Sequence, residues 1–308
     1  MSGVDGGVKF PAGFRIRPPR PEEAEAVAAL VGLCELHDGG EPDIDVDDIL
    51  NDWRRPSFDL GMDAIAVFDG TGALVAEADI FIPHGRVEAT VHPDARGRGI
   101  GAALLAWAEA RAREAGSPTI GQTKPDGALD AAALMKAHGY APLWNSWMLE
   151  ITHMAPPAPA VFPDGITLRT FTGDDAREVY EVVENAFSEW TNRTPTTFED
   201  WRAGTIDAGP FDPSLMLLAT DGSSRRIVGV AYCLGHAPDG YVQSLAVDAA
   251  FRGRGIATAL LHQAFATFWS LGKPTVALST DSRTGALGLY ERVGMHVIRT
   301  YTRYSKDL

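Results

Sequence analysis

The tetrapeptide Arg-Gly-Arg-Gly occurs at Arg96–Gly99 and again at Arg252–Gly255, each time between an apolar run and an amphipathic one. The surrounding segments read VHPDARGRGIGAALL and VDAAFRGRGIATALL, roughly half of the 308-residue chain apart. Glycines at a strand-to-helix junction let backbone N–H groups approach an anion closely, and the helix N-terminus adds a partial positive charge. The spacing therefore predicts a site that can hold an anion. A P-loop would need Gly-Lys-Ser/Thr, which neither copy has. A dinucleotide fingerprint would need a third glycine where Ala102 and Thr258 stand. What remains is Arg-x-x-Gly-x-Gly/Ala in both halves.

The elements around the two loops repeat as well. In the first half the pattern predicts a strand near Phe14–Arg17 and helices over Pro21–His37 and Val46–Trp53. Strands follow near Ala64–Phe68, Ala73–Ile82 and Val87–His92, with turn signals between them. After the loop, Ile100, Leu104, Ala108 and Ala112 recur every four residues, the stripe of a helix with one buried face. A strand at Pro118–Gln122, a helix at Ala128–Ala137 and a strand from Tyr140 to Ile151 complete the half.

The second half predicts the same order: strand Ile166–Phe171, a helix capped by Asp174 and running to Phe187, and a short helix at Phe198–Ala203. Strands Leu215–Thr220, Ile227–Leu234 and Tyr241–Val247 lead into its loop. Ile256, Leu260, Ala264 and Phe268 then form the matching stripe. Strand Thr275–Ser279, helix Thr284–Arg292 and strand Met295–Tyr304 close it. Between the halves His153–Pro163 is rich in proline, which removes backbone donors and favours extended chain, so it reads as a linker. The expected fold class is α/β (α+β), with domains at 1–152 and 164–308. Each is a mixed, mostly antiparallel sheet flanked by helices.

Composition narrows the function classes. Apolar residues at 45% and charged ones at 22% are ordinary globular values, so a packed core is expected. A net charge of −14 argues against nucleic acid, since binding phosphate backbones requires concentrated Lys and Arg. No apolar run approaches the roughly 20 residues of a membrane helix, and no signal-peptide pattern opens the chain, so a cytoplasmic protein with no membrane contact is expected. The two cysteines, Cys34 and Cys233, read as reduced structural thiols. The eight histidines show no metal-ligand spacing, so no metal is expected, and His92 reads as a turn residue.

The two loops resemble the acetyl-CoA site of the GNAT family of N-acetyltransferases, and the resemblance extends over nearly the whole chain as two domains in tandem. It implies that backbone amides of Arg96, Gly97, Arg98, Gly99, Ile100, Gly101 and Ala102, and of Arg252, Gly253, Arg254, Gly255, Ile256, Ala257 and Thr258, hold the CoA diphosphate. It also implies that the strand before each loop splays from its neighbour and pairs its backbone with the pantetheine arm. Val91 in the first half and Leu245, Ala246 and Val247 in the second match those positions. Family members often carry a tyrosine on the later helix, four residues before a glycine. Tyr290 before Gly294 fits; in the first half Met135 stands before Gly139. A phenol can protonate a departing thiolate and a thioether cannot. The resemblance thus implies a C-terminal catalytic domain and a degenerate N-terminal one, with acetyl-CoA as cosubstrate and a small-molecule amine as acceptor. Two alternatives stay open, a protein acetyltransferase and a non-catalytic CoA sensor.

Candidates for taking up the amine's proton are Asp239, Tyr241, Gln243, Glu184 and Glu189, with Glu88 in the first half. Strand alternation would place Tyr241, Gln243 and Leu245 on one face. Trp190, Phe198 and Trp201 lie where an acceptor pocket is expected.

Overall fold

The structure is a computed structural model and describes residues 7–42, 44–190, 193–209, 211–235 and 238–308. It forms two compact units. One holds the chain up to Asn145 together with Tyr301–Leu308; the other holds Ser146–Thr300. These units do not follow the boundaries expected at residues 152 and 164. The final strand of each half-sequence ends in the sheet of the other unit. A strand joins whichever edge offers N–H and C=O groups, and its alternation does not record which edge that is.

The first unit runs β1 (Arg15–Arg17), α1 (Ala24–His37), α2 (Val46–Trp53), β2 (Ala64–Phe68), β3 (Leu74–Phe81), β4 (Arg86–Val91), α3 (Ile100–Glu114), β5 (Thr119–Pro125) and α4 (Leu129–Ala137). The chain continues through β6 (Ala141–Thr152) into the second unit. There it forms β7 (Ile166–Thr170), α5 (Ala176–Phe187), α6 (Phe198–Ala203), β8 (Met216–Asp221), β9 (Ile227–Leu234) and β10 (Gly240–Val247). α7 (Ile256–Ser270), β11 (Thr275–Asp281), α8 (Leu287–Arg292) and β12 (His296–Asp307) come after them. The first unit orders its strands β1-β2-β3-β4-β5 and then the Tyr301–Asp307 part of β12. The second orders them β7-β8-β9-β10-β11 and then the Ser146–Thr152 part of β6. Within each sheet the pair flanking the glycine loop is parallel, β4 with β5 and β10 with β11, and the other pairs are antiparallel. Both units are mixed sheets flanked by helices, as the pattern predicts.

The two helical stripes seat these sheets. Ile100, Leu104, Ala108 and Ala112 of α3 are buried against Ala76, Ala78 and Ile80 of β3. Ile256, Leu260, Ala264 and Phe268 of α7 are buried with Leu217 and Ala219 of β8. Each large side chain among them stabilises the fold by about 1.5–3 kcal/mol. The start of α5 differs from expectation. Thr172 and Asp175 form a capping box there, with Thr172 N donating to Asp175 Oδ2 at 2.7 Å, so Asp175 and not Asp174 serves the helix end. Among the described residues no helix is long and apolar enough to cross a membrane.

Two features of β10 shape the wall of the candidate site. It pairs with β11 only over Gly240–Val242, then the two strands diverge. Its register against β9 also slips between Val242 and Ser244, a bulge that admits Gln243. β4 likewise parts from β5, pairing only at Arg86 with Gly121, but keeps unbroken register against β3. The bulge switches the faces of β10. Val242 before it, and Leu245 and Val247 after it, pack in the α7 cluster, while Ala246 packs in the α5 cluster. Tyr241, Gln243 and Leu245 therefore do not share one face, because the extra residue shifts the alternation.

Candidate active site

Both glycine loops adopt one backbone shape. Gly97 and Gly99 have φ of 72° and 83°, and Gly253 and Gly255 have 72° and 88°. This left-handed region is open to glycine and strained for other residues by about 1–2 kcal/mol. Gly99 and Gly255 are the N-caps of α3 and α7, and neither brings a side chain to the helix end. The first N–H groups of each helix are thus left to an external partner, with the helix dipole behind them. A turn precedes each loop in the same way: His92 Nδ1 accepts from Asp94 N at 3.2 Å, and Asp248 Oδ1 accepts from Ala250 N at 2.9 Å.

The first arginine of each loop turns back to the preceding strand. Arg96 Nε donates to Val91 O and Arg252 Nε to Val247 O, both at 3.1 Å. Arg96 also grips Asp38 with two nitrogens, at 2.7 and 3.0 Å, and Arg252 Nη1 reaches Glu189 Oε2 at 2.5 Å. These side chains tie the loop to the preceding strand and to the end of the unit's first helix. The second arginines are exposed. Arg98 lies over Phe14 at 4.5 Å, and Arg254 lies over Phe251 at 4.8 Å while donating to Ala250 O.

In the second unit the loop opens on a cavity of about 840 Å³. Arg252, Gly253, Gly255, Ile256, Ala257 and Thr258 line one end, and Val242 through Val247 of β10 line a wall. Leu278–Asp281 of β11 face them, and Leu289, Tyr290 and Arg292 come from α8. Of the cofactor-binding and catalytic residues expected in the second half, Arg254 alone stays outside the lining. Strand alternation turns the N–H and C=O of Leu245 to the same side as Val247 O, which is the side facing the splay. Ser244, beside the bulge, has a buried hydroxyl with no hydrogen-bond partner among the described residues.

Tyr290 is 7% exposed. Burial pushes its phenol up to about 12, opposed by a hydrogen bond with Thr280. The phenol therefore keeps its proton across the neutral and moderately alkaline range. Thr280 and Ser244 carry no signal in the sequence, because their importance depends on which strand ends diverge.

The other wall is aromatic and cationic. Trp190 stacks on Phe187 at 4.4 Å, and Arg283 lies 5.4 Å from the Trp190 ring. Phe198 and Trp201 do not join them. They pack around Tyr180, at 5.4 and 5.7 Å, under Arg177, because α6 sits against α5. The carboxylate candidates are also dispersed. Glu184 is held by both terminal nitrogens of Arg193, and Asp239 is exposed and outside the lining. Both carboxylates that do line the cavity are ion-paired, Glu189 with Arg252 and Asp281 with Arg283, each at 2.5 Å.

The first unit has the loop without the same surroundings. A Cβ built on Gly101 would meet Leu134 Cδ2 at 2.9 Å, so that glycine serves the packing of α3 on α4. Met135, where Tyr290 has its counterpart, is a buried core residue. Cys34 and Cys233 are both free and buried. Among the described residues no group of three or more His, Cys, Asp or Glu side chains is arranged to hold a metal ion.

Both halves of the chain match known proteins. The profile of the acetyltransferase (GNAT) family fits residues 176–295, and that of an acetyltransferase (GNAT) domain fits residues 62–142. Mycothiol acetyltransferase of Mycobacterium sp. (strain JLS) is 30% identical over 298 residues, covering 92% of this chain and 95% of its own. Mycothiol acetyltransferase of Thermomonospora curvata is 34% identical over 226 residues, covering 72% and 71%. Among solved structures, a GCN5-related N-acetyltransferase from Sphaerobacter thermophilus is similar with a TM-score of 0.79 and 37% identity over 97% of both chains. A tandem GNAT protein from the clavulanic acid biosynthesis pathway shares the fold, with a TM-score of 0.73 at 19% identity over 96% of this chain and 98% of its own.

Proposed function

The chain belongs to the GNAT family of acetyltransferases, and from that premise we propose that its second unit moves an acetyl group from acetyl-CoA to the amine of a small molecule. The observation that carries this reading is the bulged and splayed β10, which lies between a bare helix N-terminus and Tyr290 on one cavity. The residues present fit acetyl-CoA. Cβ atoms built on Gly253 and Gly255 meet nothing within 4 Å, so the loop is open where a diphosphate would rest. The free side of β10 offers amide groups to an extended, amide-bearing arm, the pairing used in strand addition.

Acetyl-CoA, when bound, supplies the activated acyl group. The N–H groups of Gly255 through Thr258 would hold its diphosphate, with Arg254 at the rim. The N–H groups of β10 beyond the bulge would draw charge onto the thioester oxygen as it develops, an oxyanion arrangement. Tyr290 Oη holds the proton for the sulfur, kept there by burial. A primary amine with pKa near 10.4 enters protonated, and freeing it at pH 7 costs about 4.6 kcal/mol. With Glu189 and Asp281 both engaged by arginines, water beside Gln243 and Ser244 carries that proton away.

The small-molecule acceptor is supported by the relatives named for acetylating mycothiol and by the walls of Trp190, Phe187 and Arg283, which confine the cavity. The test is a panel of small amines and lysine peptides incubated with acetyl-CoA, following release of the CoA thiol. Acetylation of peptides alone overturns the small-molecule reading, and no thiol release with any acceptor overturns the enzyme.

A further inference from the structure

The two units differ most where they match most closely. β5 and β11 each have seven residues, and their penultimate positions are Lys124 and Thr280. β4 and β10 end at Val91 and Val247, and two residues earlier stand Ala89 and Leu245. In the second unit Thr280 turns to Tyr290 and the carbonyl of Leu245 faces the cavity. In the first unit Lys124 Nζ crosses the gap between the splayed strands and donates to Ala89 O at 2.9 Å.

The next carbonyl along β4 is also taken. Val91 O accepts from Arg96 Nε at 3.1 Å, as Val247 O does from Arg252 Nε, and in this unit also from Cys34 Sγ at 3.4 Å. Splayed backbone carbonyls in a protein interior need partners, and here the chain's own side chains supply them. The buried Glu77, with Glu88 near it, faces the Lys124 ammonium. The glycine loop of this unit has a neighbour at one of its two glycines. A Cβ at Gly99 would lie 3.4 Å from Pro11 Cγ, whereas those at Gly97, Gly253 and Gly255 meet nothing within 4 Å. Phe10 and Phe14, on either side of Pro11, pack on the α3 cluster.

We infer that the first unit's cofactor groove is filled by the protein itself, with Lys124 in the place of the CoA arm, so that each chain takes up a single CoA, in the second unit. The inference rests on the reading of the second unit as the CoA-binding half. It makes Lys124 the residue that decides which groove admits the ligand. The lysine's cation holds the gap closed from within, and a threonine at the same position leaves the other gap open.

The experiment is calorimetric titration of the full chain with CoA, comparing the native protein, Lys124→Thr, and Lys124→Thr combined with Glu77→Gln. The double variant removes the carboxyl that the single change leaves without its cation, so a folding defect in the single variant does not decide the outcome. One site is expected in the native chain and two in the variants, with the second site absent when Lys124 is retained in Glu77→Gln alone. Two sites in the native chain, or one site in both folded Lys124 variants, overturns the inference alone. No binding by any of these chains overturns the functional reading and takes this inference with it.

Discussion

Arg252 and Glu189 meet at 2.5 Å across the mouth of the second unit's cavity, and the same arginine holds Val247 O. The guanidinium thereby fixes the loop against the strand and against the chain that leaves α5. Both partners are substantially exposed, at 41% and 51% of their side-chain surface, so solvent screens the pair. Glu189→Gln is expected to raise the KM for acetyl-CoA about fivefold or less, with kcat unchanged. The difference should shrink as salt rises through about 0.5 M. A fall in kcat comparable to the rise in KM would instead place Glu189 in the chemistry.

The loop glycines separate two physical roles. Gly255→Ala introduces a Cβ into open space at φ 88°, so its penalty is conformational. CoA affinity should weaken by about 5- to 30-fold, following the roughly 1–2 kcal/mol of left-handed strain, if the strain is relieved by reshaping the loop. Gly101→Ala meets Leu134 at 2.9 Å in the first unit, so it should lower the melting temperature and leave CoA affinity as it was. Calorimetry and thermal melts on both variants check the distinction.

The Tyr290 phenol gives a pH test. An acid held at about 12 by burial stays protonated through the accessible alkaline range. The plot of kcat against pH should therefore show no descending limb between pH 8 and 10.5 in the native protein. Thr280→Val removes the hydrogen bond that opposes burial, so it moves the phenol further up and leaves that range flat. A descending limb near pH 10, the ordinary tyrosine value, would mean that Tyr290 is solvated during turnover.

How much of the molecule is legible in its residues depends on where each signal lives. The glycine loops and the stripes of α3 and α7 are local, and both are readable from spacing alone. The bulge at Gln243 is not local. It depends on how β10 registers against Tyr232 and Cys233, and no turn residue marks it. The strands Ala141–Thr152 and His296–Asp307 are readable as strands, but not as members of the other unit's sheet, because pairing partners leave no trace in alternation. Nothing in the sequence marks the side chains of Arg96 and Arg252 as ties between loop and strand; the positions of Asp38 and Glu189 make them so. Trp190 and Trp201 are indistinguishable as aromatics in the sequence, and the packing of α6 on α5 separates them.

Glu77 makes a prediction about stability. Burial raises its carboxyl to about 8, against the pull of the Lys124 ammonium and with the Glu88 charge adding to the rise. A carboxyl raised in the folded state binds its proton more tightly than in the unfolded chain. Folding stability therefore falls as pH climbs from the ordinary carboxylate value near 4.5 to about 8, and is level beyond. Glu77→Gln should flatten that slope, melting close to the native protein at pH 4.5 and above it at pH 8. Denaturant melts across that range measure it, and equal slopes in both proteins would contradict the buried, proton-holding carboxyl.

The central claim is that acetyl transfer occurs beneath Tyr290 in the second unit. Its most direct measurement is acetyl-CoA turnover by Tyr290→Phe with the best small amine, alongside CoA affinity for the same preparation. A loss of about 10²-fold or more in kcat is expected, with affinity preserved. Turnover equal to that of the native protein would remove the phenol from the reaction and contradict the assignment.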